Sequence, residues 1–371
     1  MRVLFVFGTR PEAIKLCPAV RHMRETSDIE PTVCVTGQHR GLLDQVLDAF
    51  AVKPDYDLNL MQQAQTLSQS TSRILGALEP VLLDAKPDLV LVQGDTTTTF
   101  AGALAAFYQR IPVGHVEAGL RTWDLAQPFP EESNRVLTGR LATLHFAATG
   151  GARQNLLNEG VNPASVFVTG NTGIDAVLHV RDGLESGSLH VPNPVFRPNP
   201  AKKLILVTAH RRESFGEGFQ QICDSLVRLS QRDDVEIVYP VHPNPNVRGI
   251  VEQTLRARAN ITLLEPLGYV EFVDLMRQAY ILLTDSGGVQ EEGPSLGKPI
   301  LVMRDKTERP EAVAAGTVKL VGPHCERIVS ECVNLLDNHD SYAAMSRVHN
   351  PYGDGQASAR IASLIRSFFN N

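Results

Sequence analysis

The stretch RVLFVFGTRPEAIKL at residues 2–16 decides the fold class. It begins with an apolar run, passes through a polar turn, and continues at Pro11 with residues typical of a first helical turn. A near-continuous apolar strand followed at once by a helix is typical of a parallel sheet that is covered on both faces. Thr9 and Glu12 form the capping-box pattern T-x-x-E, which supports a helix start here. This unit predicts a doubly wound α/β fold.

The same alternation recurs along the 371 residues in two series. The strands predicted for the first series are RVLFVFG (2–8), TVCVTG (32–37), DLVLVQG (88–94), PVGHVEAG (112–119), TLHFAAT (143–149) and SVFVTG (165–170). Those of the second are KLILVTAH (203–210), EIVYPVH (236–242), ITLLEP (261–266), YILLTDSGG (280–288), PILVM (299–303) and TVKLVG (317–322). We therefore predict two Rossmann-like domains, 1–170 and 171–354, on either side of a cleft, with a helix at about 355–371 that returns to the first domain.

Composition excludes several classes of protein. Hydrophobic residues at 43%, charged residues at 20% and a net charge of −6 describe an ordinary globular protein and argue against a general nucleic-acid binder. The N-terminal apolar run is too short for a signal sequence or a membrane span. The cysteines form no CxxC pair and no metal-ligand cluster, so we expect no metal site and reduced thiols in a cytoplasm. They are Cys17, Cys34, Cys223, Cys325 and Cys332.

Ligands of parallel α/β sheets bind outside the carboxyl ends of the strands, so the residues after each apolar run are the candidates for a site. In TDSGGVQEEGPSLGKP (284–299), the turn Ser286-Gly287-Gly288 precedes a predicted helix and offers free backbone N–H groups to a phosphate. The alternative is a tight turn with an ordinary N-cap. The segment matches neither GxGxxG nor GxxxxGK[ST].

The tetrapeptide RPEA occurs twice, beginning at Arg10 and at Arg309, and each copy follows a strand and opens a helix. An arginine at a helix start is unfavourable beside the positive end of the helix dipole, unless an anion is bound there. The alternative is two exposed arginines beside ordinary caps. We predict that both guanidinium groups face the same cleft.

Acidic and histidine side chains form a second set of candidates. Asp95 ends a strand, Glu117 follows one, and Glu131 lies in the loop QPFPEESNR. Asp95 as an N-cap and Glu131 as a solvated loop residue are the alternatives, whereas three acids in one cleft would suit proton transfer. His210 is the best-placed histidine, ahead of His115 and His242, although a strand-end histidine is often structural.

The motifs VFGTRPEAIKL, QGDTTTTF, GHVEAGLRT, PFPEESNR, TAHRRES, TDSGGVQEEGPSLGKP and TERPEAV together resemble the non-hydrolysing UDP-N-acetylglucosamine 2-epimerases, over nearly the whole chain. The resemblance implies the GT-B fold and interconversion of UDP-GlcNAc and UDP-ManNAc without NAD or metal. In that mechanism UDP is eliminated to give 2-acetamidoglucal and is then added back, with protonation on the other face of C2.

The resemblance also implies roles for individual residues. Asp95, Glu117 and Glu131 become the acid/base candidates, with His210 at the departing phosphate. The implied substrate-binding residues are Arg10, Lys15, Asp95, Glu117, His210, Leu267, Phe272, Ser286, Gly287, Gly288, Glu292 and Arg309. Phe272 would lie against uracil, Leu267 would read its edge through the backbone, and Glu292 would accept the ribose hydroxyls. Leu267 and Gly268 depart from the polar residues expected in some relatives.

Bacterial members of the family imply two further expectations. One is a homodimer. The other is an activating UDP-GlcNAc site, matched by Gln38, His39, Arg211 and His242. The alternatives to this epimerase are a GT-B glycosyltransferase, a hydrolysing epimerase, an epimerase for a modified UDP-2-acetamido sugar, and a non-catalytic nucleotide-sugar sensor.

Overall fold

The computed structural model describes residues 1–26, 28–37, 40–62, 65–191, 194–307, 309–346 and 350–370, without the side chains of Arg40, Leu42 and Arg212. The chain forms two compact units. The first comprises Met1–Ala176 and the chain from Tyr352 onward, and the second comprises Val177–Pro351.

The first unit is built on a seven-stranded parallel sheet in the order β3-β2-β1-β4-β5-β6-β7. Its strands are β1 (Arg2–Phe7), β2 (Glu30–Val35), β3 (Tyr56–Asp57), β4 (Leu89–Gln93), β5 (Val113–Ala118), β6 (Leu144–Ala147) and β7 (Val166–Val168). Its helices are α1 (Arg10–Arg24), α2 (Arg40–Ala49), α3 (Leu67–Ala85), α4 (Thr97–Tyr108), α5 (Glu131–Leu141), α6 (Gly150–Asn158), the start of α7 (Thr172–Ser186), and α15 (Ala357–Asn370), which packs against α1.

Burial and capping explain these elements. All five residues of β4 are buried, as expected for a central strand covered on both faces. Gly102 lets α4 approach the sheet closely, because a Cβ there would lie 3.2 Å from side-chain atoms of Val6 and Val92. The predicted capping box of α1 is present: the Thr9 hydroxyl accepts from the Glu12 amide, and the Glu12 carboxylate accepts from the Thr9 amide.

The second unit is built on a six-stranded parallel sheet in the order β10-β9-β8-β11-β12-β13. Its strands are β8 (Lys203–Thr208), β9 (Val235–Pro240), β10 (Ile261–Leu264), β11 (Ile281–Thr284), β12 (Ile300–Val302) and β13 (Val318–Leu320). Beside the end of α7, its helices are α8 (Glu217–Leu229), α9 (Pro245–Leu255), α10 (Tyr269–Gln278), α11 (Gly287–Glu292), α12 (Pro310–Ala314), α13 (Cys325–Asp337) and α14 (His339–Ser346).

The predicted doubly wound α/β class is confirmed, since both sheets are parallel and every predicted apolar strand is found. The prediction missed β3, which pairs only through Tyr56 and Asp57 with the end of β2. A two-residue strand with one charged residue carries no apolar run to detect. Among the described residues, no helix has the length and apolar character needed to cross a membrane.

Candidate active site

Glu117 lies within β5, although the sequence placed it after the strand. It has a φ of 62°, and the pairing of β5 with β6 shifts register between Val116 and Ala118. A non-glycine residue in the left-handed region is uncommon and is often found at functional sites. Its Oε1 lies 2.6 Å from Lys15 Nζ, and the side-chain amide of Gln93 donates to its Oε2. The bulge therefore turns the Glu117 carboxylate into contact with a cation and an amide.

Asp95 follows β4 directly. Thr96, and not Asp95, is the N-cap of α4, so the N-cap alternative for Asp95 is wrong. Burial raises the pKa of Asp95 to about 6. The Arg135 guanidinium, 2.8 Å away, opposes this increase, while Glu117 and Glu131 add to it. A carboxyl group with this pKa can both accept and donate a proton near neutral pH.

Glu131 opens helix α5, so its assignment to a loop is wrong. The acidic first turn of α5 suits the positive end of the helix dipole. Within the part of the chain that the structure describes, Glu131 Oε2 is buried and has no hydrogen-bond partner. The neighbouring Glu132 instead faces the interior, where its Oε1 accepts from the amides of Thr122 and Trp123. Glu132 Oε2 also has no hydrogen-bond partner among the described residues, but it lies 3.2 Å from Arg135 Nη1 in an ion pair. Glu131 is the acid of this pair whose charge acts on Asp95.

His115 is buried beneath this cluster and is held neutral. Burial lowers its pKa to about 3, and its Nε2 lies 2.7 Å from the carbonyl oxygen of Gly94. Because a carbonyl only accepts, Nε2 carries the proton. His115 thus supports the turn that carries Asp95 and does not supply charge.

Arg10 and Lys15 lie on α1. Arg10 is half-buried in the first turn behind the Thr9 cap, and Lys15 lies one turn later in its ion pair with Glu117. The ligand-facing edge of the first sheet thus collects a lysine and three carboxylates.

In the second unit, His210 is fixed by the fully buried Asp285. Its Nδ1 lies 3.2 Å from Asp285 Oδ1, and the amides of His210 and Arg211 donate to Asp285 Oδ2 at 2.6 and 2.7 Å. The ring stacks on His242 with centroids 5.3 Å apart. Burial lowers the pKa of His210, while the Asp285 carboxylate raises it. Asp285 Oδ1 makes no hydrogen bond among the described residues, so it acts on the His210 ring through its charge and faces Nδ1, with Nε2 on the other side of the ring.

Ser286 is the N-cap of α11, as the predicted helix start required. A Cβ on Gly287 would lie 2.5 Å from the guanidinium carbon of Arg309, so that guanidinium rests against the turn. Arg309 is itself the N-cap of α12, and its Nε lies 2.6 Å from Glu291 Oε1. The second unit thus places a serine, two glycines and an arginine together.

The remaining predicted residues are placed as follows. Leu267 is buried just before α10, Phe272 is half-buried in the first turn of α10, and Glu292 is buried at the end of α11. Gln38 and His39, predicted for the activating site, lie outside the described residues. In the described part of the chain, no group of three His, Cys, Asp or Glu side chains could hold a metal ion.

Four further residues hold these side chains in place, and the sequence patterns assign none of them a role. They are Gln93, Arg135, Asp285 and Glu291. Gln93 and Asp285 have a signal, because each stands at the end of a predicted strand, in DLVLVQG and in TDSGG. Arg135 and Glu291 lie on helices whose contacts no local pattern predicts.

Two Rossmann-like units, one with an acidic cluster and one with a Ser-Gly-Gly turn after a strand, are typical of an enzyme of the GT-B fold. A family model described as UDP-N-acetylglucosamine 2-epimerase matches residues 21–366, and the chain belongs to this family. It is therefore an isomerase of the epimerase class.

Individual relatives agree with this assignment. The chain is 58% identical over 371 residues to the UDP-N-acetylglucosamine 2-epimerase of Escherichia coli strain K12, with 99% of each chain covered. It is 57% identical over 372 residues to the enzyme of that name from Salmonella typhimurium, with the same coverage. A crystal structure of the Neisseria meningitidis UDP-GlcNAc 2-epimerase bound to UDP-GlcNAc has a TM-score of 0.91 at 49% identity, and covers 99% of this chain and 100% of its own.

Proposed function

We propose that this protein is a non-hydrolysing UDP-N-acetylglucosamine 2-epimerase, which interconverts UDP-GlcNAc and UDP-ManNAc. The observation that carries the proposal is the acidic cluster of the first unit, in which Glu117 and Glu131 help to raise the pKa of Asp95 to about 6. Membership of the family and the UDP-GlcNAc bound to the Neisseria meningitidis relative support the choice of substrate.

The chemistry explains why several acids are needed. The hydrogen on C2 has no neighbouring carbonyl, so direct deprotonation would be very slow. When the bond from C1 to the phosphate oxygen breaks, the electron pair leaves with UDP and C1 becomes positive. A carboxylate then removes the C2 proton, the C1–C2 double bond forms, and the products are 2-acetamidoglucal and UDP. Re-addition of UDP with protonation on the opposite face of C2 gives the epimer, so a base and an acid are needed on opposite sides.

We assign the acid/base work to Asp95, Glu117 and Glu131, without dividing it among them. Glu131 Oε2 is buried and has no hydrogen-bond partner among the described residues, which supports its place in this set. Lys15 neutralises Glu117 in the resting enzyme. We propose that Arg10 and Lys15 stabilise the negative charge that develops on UDP as it departs.

We assign the binding of UDP to the second unit. The Ser286-Gly287-Gly288 amides and Arg309 would bind the pyrophosphate, and His210 would donate to the departing phosphate from Nε2. Phe272 would contact uracil, the backbone at Leu267 would read its edge, and Glu292 would accept the ribose hydroxyls. The contact of Arg309 with Gly287 supports this assignment, because it places a guanidinium at the turn that would hold the anion.

Proton NMR of UDP-GlcNAc incubated with the enzyme in deuterated water tests the proposal. We expect deuterium at C2 of intact UDP-sugar and an equilibrium mixture of both epimers. Free N-acetylmannosamine with UDP would instead show a hydrolysing enzyme, and a requirement for an acceptor would show a glycosyltransferase. Deuterium exchange that occurs only with a modified UDP-2-acetamido sugar, such as a UDP-2,3-diacetamido sugar, would show that the enzyme acts on the modified sugar. Near wild-type rates for Asp95→Asn and Glu117→Gln would refute the acid/base assignment.

We also propose activation by UDP-GlcNAc at a second site that includes Arg211 and His242, and a homodimeric assembly. The stacking of His242 on His210 supports the first idea, since a ligand that moves His242 would also move His210. We expect UDP-ManNAc alone to react slowly and a trace of UDP-GlcNAc to accelerate it. Full turnover of UDP-ManNAc alone, with single-site kinetics, would refute activation, and light scattering tests the dimer.

A further inference from the structure

Glu12 connects two turns at the ligand-facing edge of the first sheet. Its side chain is buried, with 1% exposed. Oε2 accepts from the amides of Gly8 and Thr9 at 3.0 and 2.8 Å, in the turn after β1. Oε1 accepts from the Thr96 hydroxyl at 2.7 Å, in the turn after β4. Because Thr96 follows Asp95 directly, a single carboxylate joins the Asp95 turn to the start of α1.

The contacts of Glu12 continue toward Glu117. Thr99 Oγ1 lies 3.2 Å from Glu12 Oε1 and 2.6 Å from the carbonyl oxygen of Gln93. The Thr99 hydroxyl has one proton and two acceptors within reach, and the shorter contact is the one to the Gln93 carbonyl oxygen. The Gln93 side chain in turn donates to Glu117 Oε2. The residues around Glu12 thus contact the turn that carries Asp95 and the Gln93 residue whose side chain donates to Glu117.

Helix capping alone does not require a buried glutamate that also reaches the start of α4. Helix α3 has its own capping box, in which Gln69 performs the task of Glu12 and Thr66 the task of Thr9, at an exposed site. A neutral glutamine therefore suffices to cap a helix of this chain. At Glu12, burial raises the pKa and the surrounding hydroxyl and amide donors oppose the rise. Burying a carboxylate is costly unless it is well hydrogen-bonded, so the bridge to α4 accounts for a glutamate here.

We propose that Glu12 is a positioning residue for proton transfer, which holds the turn bearing Asp95 at a fixed distance from the turn bearing Arg10. This inference rests on the proposed catalytic role of Asp95. Because only 1% of Glu12 is exposed, its proposed effect passes through the two turns and not through a contact with substrate.

A loosened turn would change the surroundings of Asp95 in a definite direction. The charged groups that face Asp95 are Arg135 and Glu131 from α5, Glu117 from β5 and Lys15 from α1. Burial is the largest cause of its raised pKa, and water entering beside a loosened turn would reduce that effect. The acidic limb of the pH profile of kcat/KM would then move to lower pH. A variant that merely folds less well would lower the amplitude of the profile and leave the limb in place.

The test compares Glu12→Ala with Gln69→Ala, which removes the equivalent residue of the α3 capping box. We expect Glu12→Ala to lower kcat by about 30-fold or more, because small displacements of a reacting group can cost about 100-fold, while KM changes by less than about threefold. Its acidic limb should move to lower pH. Gln69→Ala should lower Tm slightly and leave kcat and the limb unchanged. Glu12→Gln keeps an acceptor for the turn amides, and its NH2 group can donate to the Thr96 hydroxyl oxygen, so the bridge is retained and kcat should lie within about fivefold of the wild-type value.

Equal kcat values and equal pH limbs for Glu12→Ala and Gln69→Ala would overturn the proposal and leave Glu12 as a cap.

If Glu12→Ala does not fold, Thr96→Ala removes the bridge from its other end. Thr149→Ala is the control, because Thr149 caps α6 with the same side-chain bond and has no part in the bridge. Equal kcat for these two variants would also overturn the proposal. Asp95→Asn separates the two hypotheses: if it stays active, the catalytic assignment fails whatever Glu12 does.

Discussion

Replacing Arg135 by methionine should shift the pH dependence of the enzyme upward. Arg135 Nη2 lies 2.8 Å from Asp95 Oδ2, and this guanidinium is the largest influence that opposes the effect of burial on Asp95. Without it, burial and the negative charges of Glu117 and Glu131 act on Asp95 with less compensation, so the pKa of Asp95 rises further above 6.

The size of the shift follows from the contact. An opposite charge at this range lowers a carboxyl pKa by about 1–3 units, and partial solvent exposure of Asp95 places its value near the lower end. We therefore expect the acidic limb of kcat/KM to move from about pH 6 to about pH 7–7.5. The effect on stability has a fixed sign as well: the folded-state pKa lies above the ordinary 3.8, so the folded state binds the proton more tightly and loses stability as pH rises from about 4 through about 6.

The assay measures kcat/KM for deuterium incorporation at C2 from about pH 5 to about pH 9. Arg135→Lys retains the charge and should keep its limb near the wild-type position. Arg140→Met removes an exposed arginine of the same helix, whose guanidinium donates to the backbone carbonyl of Glu159, and should change nothing. Arg135→Met also leaves the buried Glu132 without this cation, so rates are taken where circular dichroism shows a folded protein. A limb within about 0.3 units of wild type would refute the electrostatic reasoning.

Two glycines allow steric tests. Gly287→Ala should raise KM about tenfold with a smaller effect on kcat, because the new methyl would lie 2.5 Å from the Arg309 guanidinium and displace it; an unchanged KM would show that Arg309 does not bind substrate. Gly119→Ala should lower the free energy of unfolding by about 3 kcal/mol or more in denaturant titrations, since φ is +93° and its Cβ would lie 2.2 Å from the Ala152 carbonyl oxygen. Gly150→Ala meets no atom within 4 Å and is the control; equal losses for both would contradict this steric account.

The sequence could predict most of the fold because the decisive signals are local. A buried parallel strand is apolar at nearly every position, and in β4 all five residues are buried and four of them are apolar. Where several residues could perform the same task, the sequence was ambiguous. In GDTTTTF, both Asp95 and Thr96 are good N-caps, and only the backbone shows that Thr96 takes the position. The prolines before Glu131 give the local sequence the pattern of a loop, although α5 begins at this residue.

The candidate site was less predictable, because its electrostatics come from residues far apart in the chain. Lys15 and Glu117 are 102 positions apart, and no pattern within a strand or helix joins them. The positive φ of Glu117 is equally invisible, since no glycine or asparagine marks it. The motifs identify which side chains lie at the carboxyl ends of the strands. The fold decides which of these side chains form ion pairs with one another.

The two RPEA segments show how one requirement is met by different local structures. In the first, Thr9 caps the helix, Glu12 is buried in the capping box, and Arg10 is a residue of the first turn. In the second, Arg309 is the N-cap and has no side-chain cap bond, and its guanidinium is held by Glu291 from α11. The shared feature is therefore an arginine at the positive end of a helix, where it is unfavourable without an anion. At the second copy the Glu291 carboxylate supplies that negative charge, so this arginine is tied to a neighbouring helix and capping alone does not explain it.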